Sequence, residues 1–213
     1  MRHRLALLIV VLITAATICD AQAPVREPLQ PGAIAPDFTA TTLEGVPVTL
    51  AQWQDRVVVL NYFITWYRDA AEHLDMMEEL QDTYSAEGMR LLSISLDEGE
   101  RGLQQVRDLL REKQIAHPIV LDPEQLVAGV YGVRALPAIF VIGRDGKIVY
   151  YHEGYSEGDE VRLARVIAQA LGVDTPEEPT TEATDTTAEE PATAEAAEAP
   201  EEPVCRCFRQ EGQ

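Results

Sequence analysis

Hydrophobic and polar positions along the chain change period several times, and each change marks an expected element. Ala35 to Thr42 and Val46 to Leu50 flank Leu43-Glu44-Gly45, the pattern of two short strands joined by a turn. Val57 to Phe63 (VVVLNYF) is an almost unbroken apolar run bounded by charge, as expected of a strand covered on both faces. From Asp69 the spacing becomes helical: Leu74, Met77, Leu80 and Tyr84 recur on one stripe, and Gly88 follows as a stop. Met89 to Leu96 is a second buried strand, and Glu100 to Lys113 a second helix carrying Leu103, Val106, Leu109 and Leu110. A short strand, His117 to Leu121, precedes Asp122-Pro123 and a brief helix through Val130. Ala138 to Ile142 and Lys147 to His152 form a hairpin around Asp145-Gly146. The closing helix, Asp159 to Leu171, places Val161, Ala164, Ile167 and Leu171 together.

Two strands joined by a crossover helix, then a hairpin and a last helix, predict an α/β fold: a central mixed sheet flanked by helices. An amino-terminal β-hairpin precedes it and a strand–helix unit is inserted. This is the thioredoxin arrangement. GAIAPDFTATTLEGVPVTLAQWQDRVVVLNYF and LDPEQLVAGVYGVRALPAIFVIGRDGKIVYYHEG resemble the two halves of the TlpA-like, AhpC–TSA group of redoxins, which are exported thiol–disulfide oxidoreductases. That family carries a WCxxC at the start of its first long helix, faced by a cis-proline. By resemblance Trp66 matches the tryptophan, Pro137 the proline, and Tyr67 and Ala70 the two cysteine positions. Ala138 stands where a threonine is usual.

Thiol–disulfide exchange needs a thiolate, which a helix N-terminus favours by lowering the thiol pKa. Tyr67 cannot replace it, because a phenol titrates near ~10 and forms no reversible bond to sulfur. Ala70 offers no resolving group, and Asp69 is placed to cap or neutralise the helix start. The expected catalytic set within the domain is therefore empty. Trp66, Tyr67, Arg68, Leu136 and Pro137 become candidates for binding an extended peptide, since the loop before the proline can pair backbone to backbone with it.

The ends of the chain differ from its middle. Arg2, His3 and Arg4, an apolar run from Leu5 to Ile18, and Ala21-Gln22-Ala23 have the grammar of a secretory signal over residues 1–23. The expected location is the bacterial periplasm or cell envelope. Ile18 before Cys19 is a poor lipoprotein signal, so a membrane anchor is expected only if Cys19 is lipidated. After the domain at 24–172, residues 173–204 are rich in Thr, Glu, Ala and Pro, a composition expected to be disordered. This stretch holds roughly half of the net charge of -19, so the acidic total does not describe the domain's own face. The balance still argues against nucleic acid as a partner, leaving another exported protein or peptide. Cys205 and Cys207, beside Arg209 within residues 205–213, are the candidate redox pair. His73, His117 and His152 show no metal-ligand spacing and are read as surface or core residues; no metal and no cofactor is expected. Asp97-Glu98, adjacent acids after a strand, are read as solvated.

Overall fold

The computed structural model describes residues 26–156 and 158–174. The expected signal segment, Cys19, the acidic stretch beyond residue 174 and the Cys205–Cys207 pair lie outside the described residues.

Strands β1 (Thr39–Thr41) and β2 (Pro47–Thr49) form the amino-terminal antiparallel pair. Both are shorter than the sequence pattern suggests, and the start of the first has a competing partner. Ala35 N–H donates to Gly146 O and Ile148 N–H to Ala33 O, so the expected strand's first residue and the two before it lie against the turn of another hairpin. After β2, Thr49 caps a 3-10 turn (Leu50–Trp53) by accepting from Gln52 N–H.

The main sheet has the order β5-β4-β3-β6-β7. Its strands are β3 (Val57–Phe63), β4 (Met89–Ser95), β5 (Ile119–Leu121), β6 (Ala138–Ile142) and β7 (Ile148–Glu153). β3, β4 and β5 run parallel, while β6 and β7 are antiparallel to their neighbours. Every residue of β3 is buried, as its apolar run requires of a central strand. Its side chains alternate between two cores. Val57 and Val59 face helices α1 (Ala70–Tyr84) and α4 (Asp159–Leu171). Val58, Leu60 and Tyr62 meet α3 (Leu126–Tyr131) and the amino-terminal segment. Helix α2 (Gly99–Lys113) adds Val106 to a smaller cluster with Phe63, Leu74 and Ile119.

Helix α1 buries the expected stripe of Leu74, Met77, Leu80 and Tyr84. Helix α4 is rotated from expectation: Leu163, Ile167, Ala168 and Leu171 are buried and Val161 is half-exposed. A helix lying flat on a sheet buries a ridge of four-residue spacing, and Leu163-Ile167-Leu171 supplies that ridge. Gly132 ends α3 with φ +73°, where a Cβ would sit 2.4 Å from Glu27 O; only glycine lets the amino-terminal segment pass so closely.

Candidate functional site

β3 ends at Phe63, and the chain turns through Ile64 to Asp69 before α1 begins. Two backbone bonds shape this corner: Tyr67 N–H to Ile64 O (3.3 Å) and Ala70 N–H to Tyr67 O (3.1 Å). Asp69 occupies the cap position as expected, but its carboxylate pairs with Arg68 Nε (3.2 Å) and makes no capping bond to the helix. Trp66 is 56% exposed, Tyr67 is half-buried and Ala70 is 3% exposed.

The acid at the end of β4 holds the corner in place. Asp97 accepts from Thr65 N–H (3.0 Å), Thr65 Oγ1 (2.6 Å) and Ser95 Oγ (2.8 Å), and is 5% exposed. Asp97 is therefore no solvated acid, contrary to the sequence expectation. The cause is register: Phe63 lies opposite Ser95 in the parallel pair, so residues two further along each strand meet. α2 closes over the carboxylate, and Gly102 permits it, since a Cβ there would lie 3.0 Å from Asp97 Cβ.

Beside Trp66 opens a cleft of about 380 Å³. Ile64, Leu96 and Trp66 give it apolar surface, and Arg101, Gln105 and Gln125 contribute polar groups. Of the five residues expected to form one binding cleft, Trp66 alone lines this one. Leu136 is 2% exposed and Pro137 is buried, so neither side chain presents surface. The Leu136–Pro137 peptide bond is cis, and Pro137 O accepts from Gly154 N–H (2.8 Å). This anchors the loop that carries Tyr155. A hollow of similar size, about 390 Å³, lies by Trp53, Arg56 and Arg144, where β3 starts and β6 ends. It is remote from the corner.

The three histidines within the described residues divide between core and edge. His73 and His117 are buried, and His152 is half-buried against Asp159 (3.0 Å). Burial pulls the His73 pKa down to about 4, against the attraction of Asp159. Burial also lowers His117, opposed by its hydrogen bond to Glu78. Among the described residues no group of three or more His, Cys, Asp or Glu side chains is arranged to hold a metal ion. No helix among them is long and apolar enough to cross a membrane.

A five-stranded mixed sheet, a long helix leaving its central strand, and a cis-proline before β6 define a thioredoxin fold. The chain belongs to the AhpC/TSA family, whose model matches residues 31–151. It is 32% identical over 124 residues to the thiol-disulfide oxidoreductase ResA of Bacillus thuringiensis, covering 58% of this chain and 70% of that protein. It is 29% identical over 126 residues to the thioredoxin-like protein YneN of Bacillus subtilis, covering 59% and 73%. Among solved structures it is similar to a thiol:disulfide interchange protein of DsbE type from Chlorobium tepidum. The TM-score there is 0.63 at 28% identity, over 68% of this chain and 99% of the other.

Proposed function

We propose that this protein is a docking member of its family, exported to the cell envelope, in which Tyr67 and Ala70 have replaced the reactive cysteine pair. The cleft beside Trp66 holds an extended segment of another exported protein. One observation carries the reading: a tryptophan 56% exposed at a 380 Å³ cleft, on a corner that bears no sulfur. A large aromatic surface is costly to leave in water and gains most from a partner's side chain stacked on it. Arg101, Gln105 and Gln125 can hydrogen-bond a peptide backbone as it passes.

A second reading uses the sulfur outside the domain. The chain's cysteines are Cys19, Cys205 and Cys207; Arg206 between the latter two and Arg209 after them supply positive charge that favours thiolates. In that scheme a Cys205 thiolate attacks a partner disulfide. Cys207 then displaces the mixed disulfide, so two thiols become one disulfide as the partner gains two thiols.

Thiol–disulfide turnover of the purified protein, with and without residues 205–213, separates the two. No turnover in either form supports docking, and turnover lost on truncation supports the tail. Turnover that survives truncation would contradict both. Capture of envelope proteins on the immobilised protein then tests the cleft: Trp66→Ala is expected to lose the captured partners, and a variant that keeps them all rules the cleft out.

A further inference from the structure

Beneath α1, five polar side chains join end to end. His73 Nε2 lies 2.6 Å from Asn61 Oδ1, and Asn61 Nδ2 lies 2.9 Å from Ser93 Oγ. Ser93 Oγ is 2.8 Å from His117 Nε2, and His117 Nδ1 is 2.5 Å from Glu78 Oε2. His73, Asn61 and Ser93 have no exposed surface, and His117 is 5% exposed. The path runs from α1 through β3 and β4 to the entry of β5, then back to α1 one and a half turns further on.

Donor chemistry fixes the direction of every bond. Asn61 Oδ1 can only accept, so His73 Nε2 carries hydrogen, and the Asn61 amide then donates to Ser93 Oγ. The Glu78 carboxylate also collects the backbone N–H groups of Ala116 and His117. It therefore receives the His117 Nδ1 hydrogen, which leaves His117 Nε2 to accept from the Ser93 hydroxyl. With both imidazoles neutral, four donations run one way and reinforce one another.

A proton disturbs this order at either ring. On His73 it would occupy Nδ1, a buried atom with no hydrogen-bond partner among the described residues. On His117 it would turn Nε2 into a second donor towards Ser93, whose own hydrogen would then lack an acceptor. The groups facing each ring are few. His73 meets Tyr155 edge-on (5.9 Å) from the loop after β7, and Asp159 of α4, itself engaged by His152 and Ser156 N–H. His117 faces Glu78 from α1 and Ser93 from β4, with the Lys113–Asp75 pair also joining α1 to the end of α2.

We infer that this hydrogen-bond chain is a proton-sensitive latch on α1 that regulates the Trp66 cleft. With both histidines neutral it ties the helix, and so the corner that opens it, to the sheet. A proton on either ring loosens the helix and weakens docking. The docking consequence rests on the function proposed above, but the latch itself does not. The corner itself ties the two together: Ala70 N–H at the start of α1 donates to Tyr67 O (3.1 Å), next to Trp66.

Hydrogen exchange of the α1 amides, corrected for intrinsic rates, tests the latch at pH about 7.5 and about 5.5 in the full chain. Wild-type protection is expected to fall roughly tenfold or more, since each buried ring opposes a proton that the open form accepts. His73→Gln/His117→Gln together should abolish that pH dependence. The single Gln variants should be non-additive in the presence of Ser93 and additive in Ser93→Ala. Additive effects with Ser93 present, or an unchanged pH response in the double variant, overturn the latch. An alkylated, unfolded polypeptide serves as the probe for docking. Its affinity should fall over the same pH interval in the wild type and stay level in the double variant. Equal affinity at both pH values while α1 opens overturns the regulation. No binding at any pH counts against the docking reading alone, and exchange still decides the latch.

Discussion

The corner from Thr65 to Ala70 and the polar chain one turn below it lie close together and are built in opposite ways. The corner presents an aromatic surface to solvent and is held by the buried carboxylate of Asp97 together with the backbone bonds through Ile64, Tyr67 and Ala70. The layer below is closed to solvent except at Glu78, whose side chain is 19% exposed, and it collects two imidazoles, an amide, a hydroxyl and a carboxylate. A buried polar group is tolerated only when its bonds are made, so the lower layer is rigid and specific. The corner is less enclosed, with Trp66 and Arg68 exposed. Two of its positions are Tyr67, a half-buried phenol, and Ala70, a buried methyl.

That contrast can be broken experimentally, starting where the largest effect is expected. Asp97→Ala leaves Thr65 N–H and two hydroxyls without their acceptor in a buried site. We expect a loss of about 4 kcal/mol in urea denaturation; a loss below about 1 kcal/mol would show that the corner does not depend on its clamp. The next effect comes from pH. His73 has its pKa depressed from 6.5 to about 4 in the folded protein, so the unfolded chain binds the proton more readily. Its contribution is complete above pH 6.5 and is lost as pH falls towards 4. This amounts to up to about 3 kcal/mol over that window, and His73→Gln should flatten this part of the stability profile. The smallest effect belongs to the exposed corner. Trp66→Ala should alter stability by less than about 0.5 kcal/mol while abolishing capture of a partner. A large loss of stability would instead assign Trp66 to holding the fold.

Local pattern made much of this molecule legible. The apolar run of β3, the stripe of α1 and the Asp145-Gly146 turn each report on their own neighbourhood, and each formed as read. Leu136 and Pro137 show where that legibility ends. Packing turned both side chains inward, which leaves only the backbone of their loop for the pairing expected of it. Asn61 is the more instructive case. A single amide inside VVVLNYF was a visible sign of a buried polar partner, and its acceptor is 32 residues away on the next strand. His73 sits beside the apolar stripe of α1, and nothing local distinguishes its ring from a surface histidine.

Sequence alone determined the class of fold, because hydrophobic period and turn residues act over a few positions and their order along the chain restricts how strands can pair. It also determined that no cysteine lies between Cys19 and Cys205. Only the tertiary structure decided what the charged and polar residues do. Parallel pairing of β3 and β4 set Asp97 against Thr65 and Asn61 against Ser93. The crossing of α1 over that sheet brought His73 and Glu78 to the two ends of one hydrogen-bonded chain. Register and crossing depend on how whole elements pack, and a polar side chain takes its role from the partner that packing delivers.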